Sequence, residues 1–245
     1  MCCLFLAASS TVAIAQTSVV DLVNPIIGTN GMGHTFPGAC VPFGLVQLSP
    51  DTDTIPHNVD GKYQPRSYEY CAGYQHKDSS IVGFSHTHFS GTGHSDLGDI
   101  LIMPTTGTLK LNPGTATNPD GGYRSRFSHG TEISRPGYYE VMLTDYGVKA
   151  QLTTTQRVGI HKYTYPTNSE NQRIILDMIH GIYNYDGKVL WTNIRVENDT
   201  LVTGYRITNG WARTNYTYFA MSFSKPITHY GCEAVSYTHL RAHET

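Results

Sequence analysis

Residues 138–165 read YYEVMLTDYGVKAQLTTTQRVGIHKYTY, and this stretch decides the fold. Apolar and polar side chains alternate in three short runs, at residues 138–144, 148–155 and 159–165. The turn-forming tripeptide Asp-Tyr-Gly at 145–147 separates the first two runs. Because successive side chains on a strand point to opposite faces, the pattern predicts antiparallel strands that each bury one face.

Similar runs recur along most of the chain, and convincing helical periodicity is absent from them. Clusters of Gly, Pro, Asn and Asp separate the runs, as is typical of turns between strands. The sequence therefore predicts an all-β fold, a large antiparallel β-sandwich. Residues 188–208 further predict a hairpin around Asn198 and Asp199. The remaining predicted strands are residues 44–48, 80–84, 99–103, 107–111, 173–179, 188–197, 200–208 and 216–224.

Residues 24–78 differ from the rest because they are rich in Gly, Pro, Asp and His and show little periodicity. Irregular segments of this length are uncommon in compact domains unless they are functional. We expect this segment to wrap over one end of the sandwich.

The composition excludes one broad class of function. Charged residues make up 15% of the chain, below the globular average of about 25%. The net charge is −2, and 17 tyrosines equal the number of Lys and Arg together. Without a basic face to neutralise phosphates, a nucleic acid is not the expected partner.

The two ends predict processing rather than structure. Residues 1–15 resemble the apolar part of a secretory signal peptide, with a small-residue cleavage site before Gln16. We therefore expect one domain over residues 16–233, secreted or periplasmic, and no transmembrane span. Residues 234–245 resemble a translated sequencing adapter and are expected to be a non-native tail. Three cysteines remain in the domain, so at most one internal disulfide forms, with its pairing open.

The most polar loop is expected within residues 83–99, GFSHTHFSGTGHSDLGD, between the apolar runs 80–84 and 100–103. It combines three histidines, two aspartates and four glycines. Loops of this kind between strands often hold binding or catalytic groups. The sequence therefore places a candidate site for a polar ligand here.

Zinc is one ligand that this loop suits. His86 and His88 share a face if the backbone is extended, and His94, Asp96 and Asp99 follow closely. Imidazole nitrogens and carboxylates are ordinary zinc ligands. The His-x-His pair is similar to that of the metallo-β-lactamases, although the Asp-His that follows in those enzymes is missing. The alternative is a histidine pair that hydrogen-bonds in a polar cleft.

A carbohydrate is the other ligand that the sequence indicates. Tyrosines 63, 68, 70 and 74 precede the loop, and aromatic rings stack on the apolar face of a sugar. The alternative for any single tyrosine is a half-buried place in the sandwich. No pair of carboxylates has a spacing that assigns the acid and base of a glycosidase.

Five strings of the sequence closely resemble glycoside hydrolase family 92, a family of exo-acting α-mannosidases. They occur in the family's order and extend over residues 19–227. The strings are residues 24–52, 85–104, 122–141, 156–166 and 209–226.

This resemblance implies a calcium-dependent, inverting α-mannosidase that acts on mannose-containing glycans such as N-glycans, with 1,2-linked mannose as the expected substrate. It implies that this chain is the N-terminal β-sandwich (supersandwich) and that its partner is its own C-terminal (α/α)6 catalytic domain. The catalytic carboxylates and most calcium contacts would belong to that helical domain. The present chain alone is then expected to be inactive, with no catalytic residue and no metal ligand of its own.

The resemblance also implies roles for individual residues. Tyr68 stands where the family tends to carry Trp, and His94 stands where it often carries Cys. The residues expected to line the mannose subsite or to brace its loop are Tyr68, His86, His88, Thr92 and Asp96. Those expected to support the loop or the domain interface are His34, His94, Asp99 and Arg124.

Two alternatives from other classes stay open at this point. One is a stand-alone carbohydrate-binding module, which would bind mannosides without any further domain. The other is a zinc-dependent hydrolase that uses His86 and His88, which would purify with nearly one zinc ion per chain.

Overall fold

The computed structural model describes residues 18–53, 55, 57–94 and 96–233. The predicted signal peptide at 1–15 and the predicted tail at 234–245 lie outside these residues. Among the described residues, no helix has the length and apolar character needed to cross a membrane. The only helical elements in this part of the chain are short 3-10 turns, at Val19–Leu22, Pro65–Tyr70, Pro119–Gly121 and His129–Thr131.

All pairings between strands are antiparallel, which confirms the predicted all-β class. The strands are β1 (Ala39–Cys40), β2 (Gln47–Asp51), β3 (Asn58–Val59), β4 (Lys62–Tyr63), β5 (Ser80–Ile81), β6 (Gly83–Ser85), β7 (Leu101–Thr105), β8 (Ser125–Arg126), β9 (Ile133–Arg135), β10 (Tyr138–Leu143), β11 (Val148–Thr154), β12 (Gly159–Thr164), β13 (Arg173–Asp177), β14 (Val189–Asn198), β15 (Leu201–Thr208) and β16 (Asn215–Ser222).

Two sheets form the sandwich. One has the strand order β1-β2-β6-β7-β13, and the other has the order β12-β11-β10-β9. The second sheet is the meander that residues 138–165 predict, extended by β9. Its inward side chains alternate along the strands, as Tyr139, Val141 and Leu143 do on β10. They share one apolar core with Leu48 and Leu101 from the first sheet.

A third sheet has the order β14-β15-β16. Asn198 of β14 pairs with Leu201 of β15, so a two-residue turn joins these strands and the predicted hairpin is confirmed. Val202 and Arg206 of β15 are both buried, although neither belongs to the apolar core of the sandwich. An ion pair between Arg206 and Asp99 joins this sheet to the loop between β6 and β7.

Two predictions about elements are wrong. Residues 107–111 form no strand, and Leu109 and Leu111 are about half exposed, because no neighbouring strand pairs with them. The segment 24–78 is not simply a wrapping segment, since it contributes β1 and β2 to a sheet of the sandwich. The predicted strand at residues 44–48 overlaps the start of β2, whereas β1 has only two residues and shows no alternation.

Candidate functional site

The histidine-rich loop connects β6 to β7, as the sequence predicts. Its two ends are tied together by backbone hydrogen bonds, from His86 N to Asp99 O (3.0 Å) and from Gly98 N to Thr87 O (2.9 Å). The Thr87 hydroxyl also donates to Asp99 Oδ2 at 2.7 Å. The loop therefore leaves the sheet through a narrow, fixed neck, and its remaining residues form the tip.

His88 lies in the interior beneath the loop. Its Nε2 is 2.8 Å from Asp51 Oδ1, and its Nδ1 is 2.8 Å from the carbonyl oxygen of Gln47. The Ser85 hydroxyl also lies 3.1 Å from Nε2, so both ring nitrogens have protein partners. The second oxygen of Asp51 accepts from His180 Nε2 at 2.8 Å and from the Ser85 hydroxyl at 2.6 Å.

Asp51 is the ionised centre of this cluster. Burial alone would raise its pKa, but the charges and hydrogen bonds of His88 and His180 outweigh burial and hold that pKa well below its ordinary value. The side chain of Asp51 is fully buried. His88 therefore braces the loop from inside and exposes no ring nitrogen.

His86 belongs to a second, uncharged cluster. Its Nδ1 donates to the carbonyl oxygen of Ile100 at 2.7 Å, and its Nε2 lies 3.0 Å from Nε2 of His161. The Tyr163 hydroxyl lies 2.7 Å from the remaining nitrogen of His161. Burial lowers the pKa of His86 to about 4 and that of His161 well below its ordinary value. The hydrogen-bond order is therefore Tyr163 to His161 to His86 to Ile100, with both rings neutral.

Because β6 ends at Ser85, His86 and His88 are not on one extended strand. Their rings therefore do not point to a common metal ion. His86 turns to the β11–β12 side, whereas His88 turns to Asp51. Their ring nitrogens contact protein partners, which leaves the zinc arrangement predicted for this pair without geometric support.

Asp96 anchors the tip of the loop to the start of another loop. Its Oδ2 accepts from the backbone N–H of Trp211 at 2.9 Å, and its Oδ1 lies 3.2 Å from Nζ of the buried Lys188. Partial burial would raise the pKa of Asp96, but Lys188 and these N–H donors lower it overall. A side chain at Gly210 would collide with this carboxylate, since a Cβ there would lie 2.4 Å from Oδ2.

Asp99 anchors the neck of the loop to the third sheet. Its Oδ1 lies 2.9 Å from Nε of Arg206, and both side chains are almost completely buried. Arg206 also donates to the carbonyl oxygens of Met178 and His180. Burial lowers the pKa of Arg206, while Asp99 opposes this shift. Two buried cations, Lys188 and Arg206, thus join the third sheet to this loop.

Tyr68 and His34 form an aromatic corner at the tip. Their rings meet edge to face with centroids 5.0 Å apart, and Tyr68 is 37% exposed. The backbone N–H of Gly91 donates to the carbonyl oxygen of His34 at 2.6 Å. A Cβ at Gly93 would lie 2.2 Å from the Tyr68 hydroxyl, so only glycine allows this approach. Thr92 is half-buried between these glycines.

One ring nitrogen of His34, Nε2, is buried without a hydrogen-bond partner among the described residues, and the residue is 7% exposed. Buried polar atoms without partners are rare in proteins and often mark a bound water, ion or ligand. This atom gives the corner an unused hydrogen-bonding position beside the ring of Tyr68.

A second aromatic contact lies on the other side of the tip. The ring of His94 meets that of Trp211 edge to face with centroids 4.5 Å apart, and Phe89 lies 6.4 Å from the same indole. Trp211 is 67% exposed. The tip therefore presents two exposed aromatic rings, Tyr68 and Trp211.

Arg124 is not at the tip. It is buried beside a small cleft of about 170 Å³, where its guanidinium donates to Ser80 Oγ (3.2 Å) and to the carbonyl oxygens of Asp53 (3.0 Å) and Pro113 (3.1 Å). Burial raises the pKa of the Asp53 carboxyl to about 6. The cleft is smaller than the roughly 300–1,000 Å³ of ordinary ligand pockets.

Most of the predicted residues lie on this loop, and the structure shows which of them are accessible and which are buried. Tyr68, Thr92 and His94 are accessible at the tip, and Asp96 anchors it. His86, His88 and Asp99 brace the loop from below. Of the other tyrosines predicted to stack on a sugar, Tyr70 and Tyr74 are buried, and Tyr63 is 47% exposed.

Several supporting residues were not predicted, because they come from distant strands. The pairing of β12 with β11 that brings His161 to His86 cannot be seen in the sequence. The sequence held one signal for Arg206. It lies on the same strand face as the apolar Val202, and a charged residue on an apolar face indicates a buried ion pair. The residues missed are Asp51, His161, His180, Lys188, Arg206 and Trp211.

Among the described residues, the three aspartates of this site have structural partners. The carboxylates of Asp51, Asp96 and Asp99 each contact a cationic group or an imidazole, and none of them faces open solvent as a free base. A glycosidase requires two carboxylates on either side of the scissile bond. These residues therefore suit recognition of a polar ligand.

Comparison with known proteins gives a consistent result. Among solved structures, the family GH92 alpha-mannosidase BT3965 from Bacteroides thetaiotaomicron in complex with mannoimidazole is 44% identical, with a TM-score of 0.76 over 85% of this chain and 26% of that one. The inverting mannosidase BT2199 from the same organism is 27% identical, with a TM-score of 0.61 over 86% of this chain and 26% of that one.

A curated relative is an uncharacterized secreted glycosidase from Arthroderma benhamiae, 28% identical over 170 residues, which are 66% of this chain and 19% of the relative. The chain therefore spans about a quarter or less of the length of these relatives. The sequence model of the glycosyl hydrolase family 92 N-terminal domain matches residues 22–244. The chain belongs to glycosyl hydrolase family 92 and corresponds to its N-terminal β-sandwich domain.

Proposed function

We propose that this chain is the non-catalytic part of a secreted exo-α-mannosidase and forms one wall of its mannose subsite. The observation that carries the proposal is the 44% identity to an alpha-mannosidase whose structure contains mannoimidazole. The chain covers only 26% of that protein. The proposal assigns the catalytic carboxylates to a part of the enzyme outside this chain.

The loop tip supplies the contacts of this wall. A mannose ring stacks its C–H face on Tyr68, and its hydroxyls reach the hydroxyl of Thr92. Asp96 and His94 hold the tip in place through Trp211. Each of these contacts orients the sugar for a reaction that groups outside this chain perform.

Calcium does not suit the cluster of His, Cys, Asp or Glu side chains that the described residues bring together. Among the described residues, one cluster of potential metal ligands forms, from His76, His129 and Glu132. Calcium prefers six to eight oxygen ligands, and two of these three side chains are imidazoles. The proposed role of this chain therefore includes no step through calcium, and calcium binding by the helical domain stays a proposal.

A domain-exchange experiment tests the function. We expect the 245-residue chain alone to hydrolyse no 4-nitrophenyl α-mannoside and to bind α-mannosides weakly or not at all. Residues 19–227 placed in BT3965 in exchange for the matching part should give an active chimera. In that chimera, Tyr68→Ala should raise KM about two- to tenfold, since contacts made by a stacked aromatic ring are worth roughly 0.5–1.5 kcal/mol beyond the buried area.

The matched control in the chimera is Tyr63→Ala, which removes an exposed tyrosine that does not contact the loop tip. It should leave KM unchanged. A well-folded chimera without activity would contradict the proposal. Tight binding of mannosides by the isolated chain would instead support the stand-alone carbohydrate-binding module.

A further inference from the structure

His76, His129 and Glu132 form a cluster outside the histidine-rich loop. Each offers one ligand atom, and the three atoms lie within 4.8 Å of one another. The rings of His76 and His129 are 4.0 Å apart between centroids, and Nδ1 of His129 is 2.7 Å from Oε2 of Glu132. Two imidazoles and a carboxylate form a ligand set typical of zinc sites that keep an open position.

Two of the ligands come from one turn. His129 begins the 3-10 turn His129–Thr131, and Glu132 caps its end, with its N–H donating to the carbonyl oxygen of His129 at 3.2 Å. Ser128 caps the start by accepting from the N–H of Gly130. The spacing of three residues therefore places both side chains on the same side of a fixed turn.

His76 reaches the turn from a distant part of the chain. Its backbone N–H donates to the carbonyl oxygen of Thr29 at 2.8 Å, and its ring Nδ1 lies 3.4 Å from the Tyr74 hydroxyl. A metal ion bound here would join this segment to the turn that precedes β9. Such a link adds stability because it constrains two segments that are far apart in the sequence.

The carboxylate of Glu132 is already oriented for such a role. It is 3% exposed, and it accepts hydrogen bonds from the hydroxyls of Tyr74 (2.9 Å) and Tyr139 (2.7 Å). Hydrogen bonds of this kind from neighbouring groups orient metal ligands and tune the metal in known sites.

We propose that His76, His129 and Glu132 bind one divalent transition-metal ion of the zinc type. The ion replaces the hydrogen bond between His129 Nδ1 and Glu132 Oε2, and the ring proton moves to the other nitrogen of His129. Ligands of a tetrahedral zinc ion lie about 3.4 Å apart, as its bond lengths of about 2.0–2.2 Å require. The 37% exposure of the His129 side chain gives it room to make this small adjustment.

Zinc titration of the 245-residue chain tests the proposal, after a chelator has removed any metal. We expect one Zn²⁺ per chain, an absorption spectrum of tetrahedral type when Co²⁺ replaces zinc, and no comparable binding of Ca²⁺. At a zinc concentration 100 times Kd, the unfolding midpoint should rise by about 5–10 °C.

His129→Ala and His76→Ala should each abolish this binding and the rise in midpoint, whereas His229→Ala, which removes an exposed histidine elsewhere, should change neither. Circular dichroism of the metal-free variants checks that they fold. Failure of the wild-type chain to bind zinc at millimolar concentration would overturn the proposal. Unchanged binding in both variants would also overturn it, because the zinc would then lie elsewhere. Neither result affects the mannosidase proposal.

Discussion

At the scale of single residues, the loop is supported by two histidine clusters of opposite character. His88 donates to an ionised Asp51, whereas His86 and His161 form an uncharged pair. The difference comes from the neighbours. His88 lies against a carboxylate, whereas the carbonyl oxygen and the second imidazole beside His86 do not compensate for the loss of water on burial. Although His86 and His88 are only two residues apart, their different neighbours give the two rings different chemical properties.

The neutral pair predicts a pH-dependent contribution to stability. Its pKa values in the folded protein lie below the ordinary value, so the unfolded chain binds more protons below about pH 6.5. The contribution is fully present above that pH and declines as the pH falls towards 4. Chemical denaturation should show that the stability advantage of the wild type over His86→Gln/His161→Gln decreases between pH 7.5 and 5, by about 2 kcal/mol from His86 and by a further amount from His161.

The stability of the wild type has to be compared with that of the variant at each pH, because the protonation of Asp53 changes stability in the opposite direction. Its pKa is raised to about 6, so its protonation in the folded state favours folding as the pH falls below that value. His229→Gln, which alters an exposed histidine, serves as the control and should follow the wild-type profile. A constant difference between wild type and double variant across this pH range would contradict the neutral pair.

At the scale of elements, β15 joins the third sheet to the loop through a buried ion pair. Removing one partner of such a pair typically costs about 3–5 kcal/mol, because the other charge stays buried without compensation. Arg206→Met should therefore lower the free energy of unfolding by this amount. Adding Asp99→Asn should recover part of the loss, since asparagine is neutral and still accepts from Thr87. Urea denaturation of the three proteins gives the comparison.

Arg195→Met on β14 is the control for this experiment. Arg195 forms an ion pair with Glu197, but its side chain is 75% exposed, and exposed pairs contribute only about 0–1 kcal/mol. An Arg206→Met protein as stable as the control, or a double variant less stable than Arg206→Met, would contradict the role of the buried pair.

The elements also show how far the sequence predicts the fold. Strands such as β10, β11 and β15 were predicted to within one or two residues, because alternation records which side faces the core. Leu109 and Leu111 produced a false strand, since apolar residues at the surface give the same signal. In the candidate site, the loop was predicted, but its supports were not. His161 and Arg206 reach it only through pairings that bring distant segments together.

At the scale of the whole molecule, stability depends on the contact between two sheets. Leu101 is fully buried in their shared core, whereas Leu109 is 50% exposed. Leu101→Ala leaves a cavity and should lower the free energy of unfolding by about 2–5 kcal/mol. Leu109→Ala, the same change at the surface, should stay within about 0.5 kcal/mol of wild type. Denaturant titration measures both, and equal losses would contradict the assignment of this core.

The hydrogen-bonded series from Tyr163 to Ile100 has a further consequence for catalysis. Its last member is a carbonyl oxygen, which accepts a proton in a hydrogen bond but has none to pass on. The order of donors and acceptors therefore cannot reverse, and a proton that enters at the phenol end finds no exit. Proton conduction through these histidines is blocked, so the cluster cannot shuttle protons to or from a substrate that the loop holds.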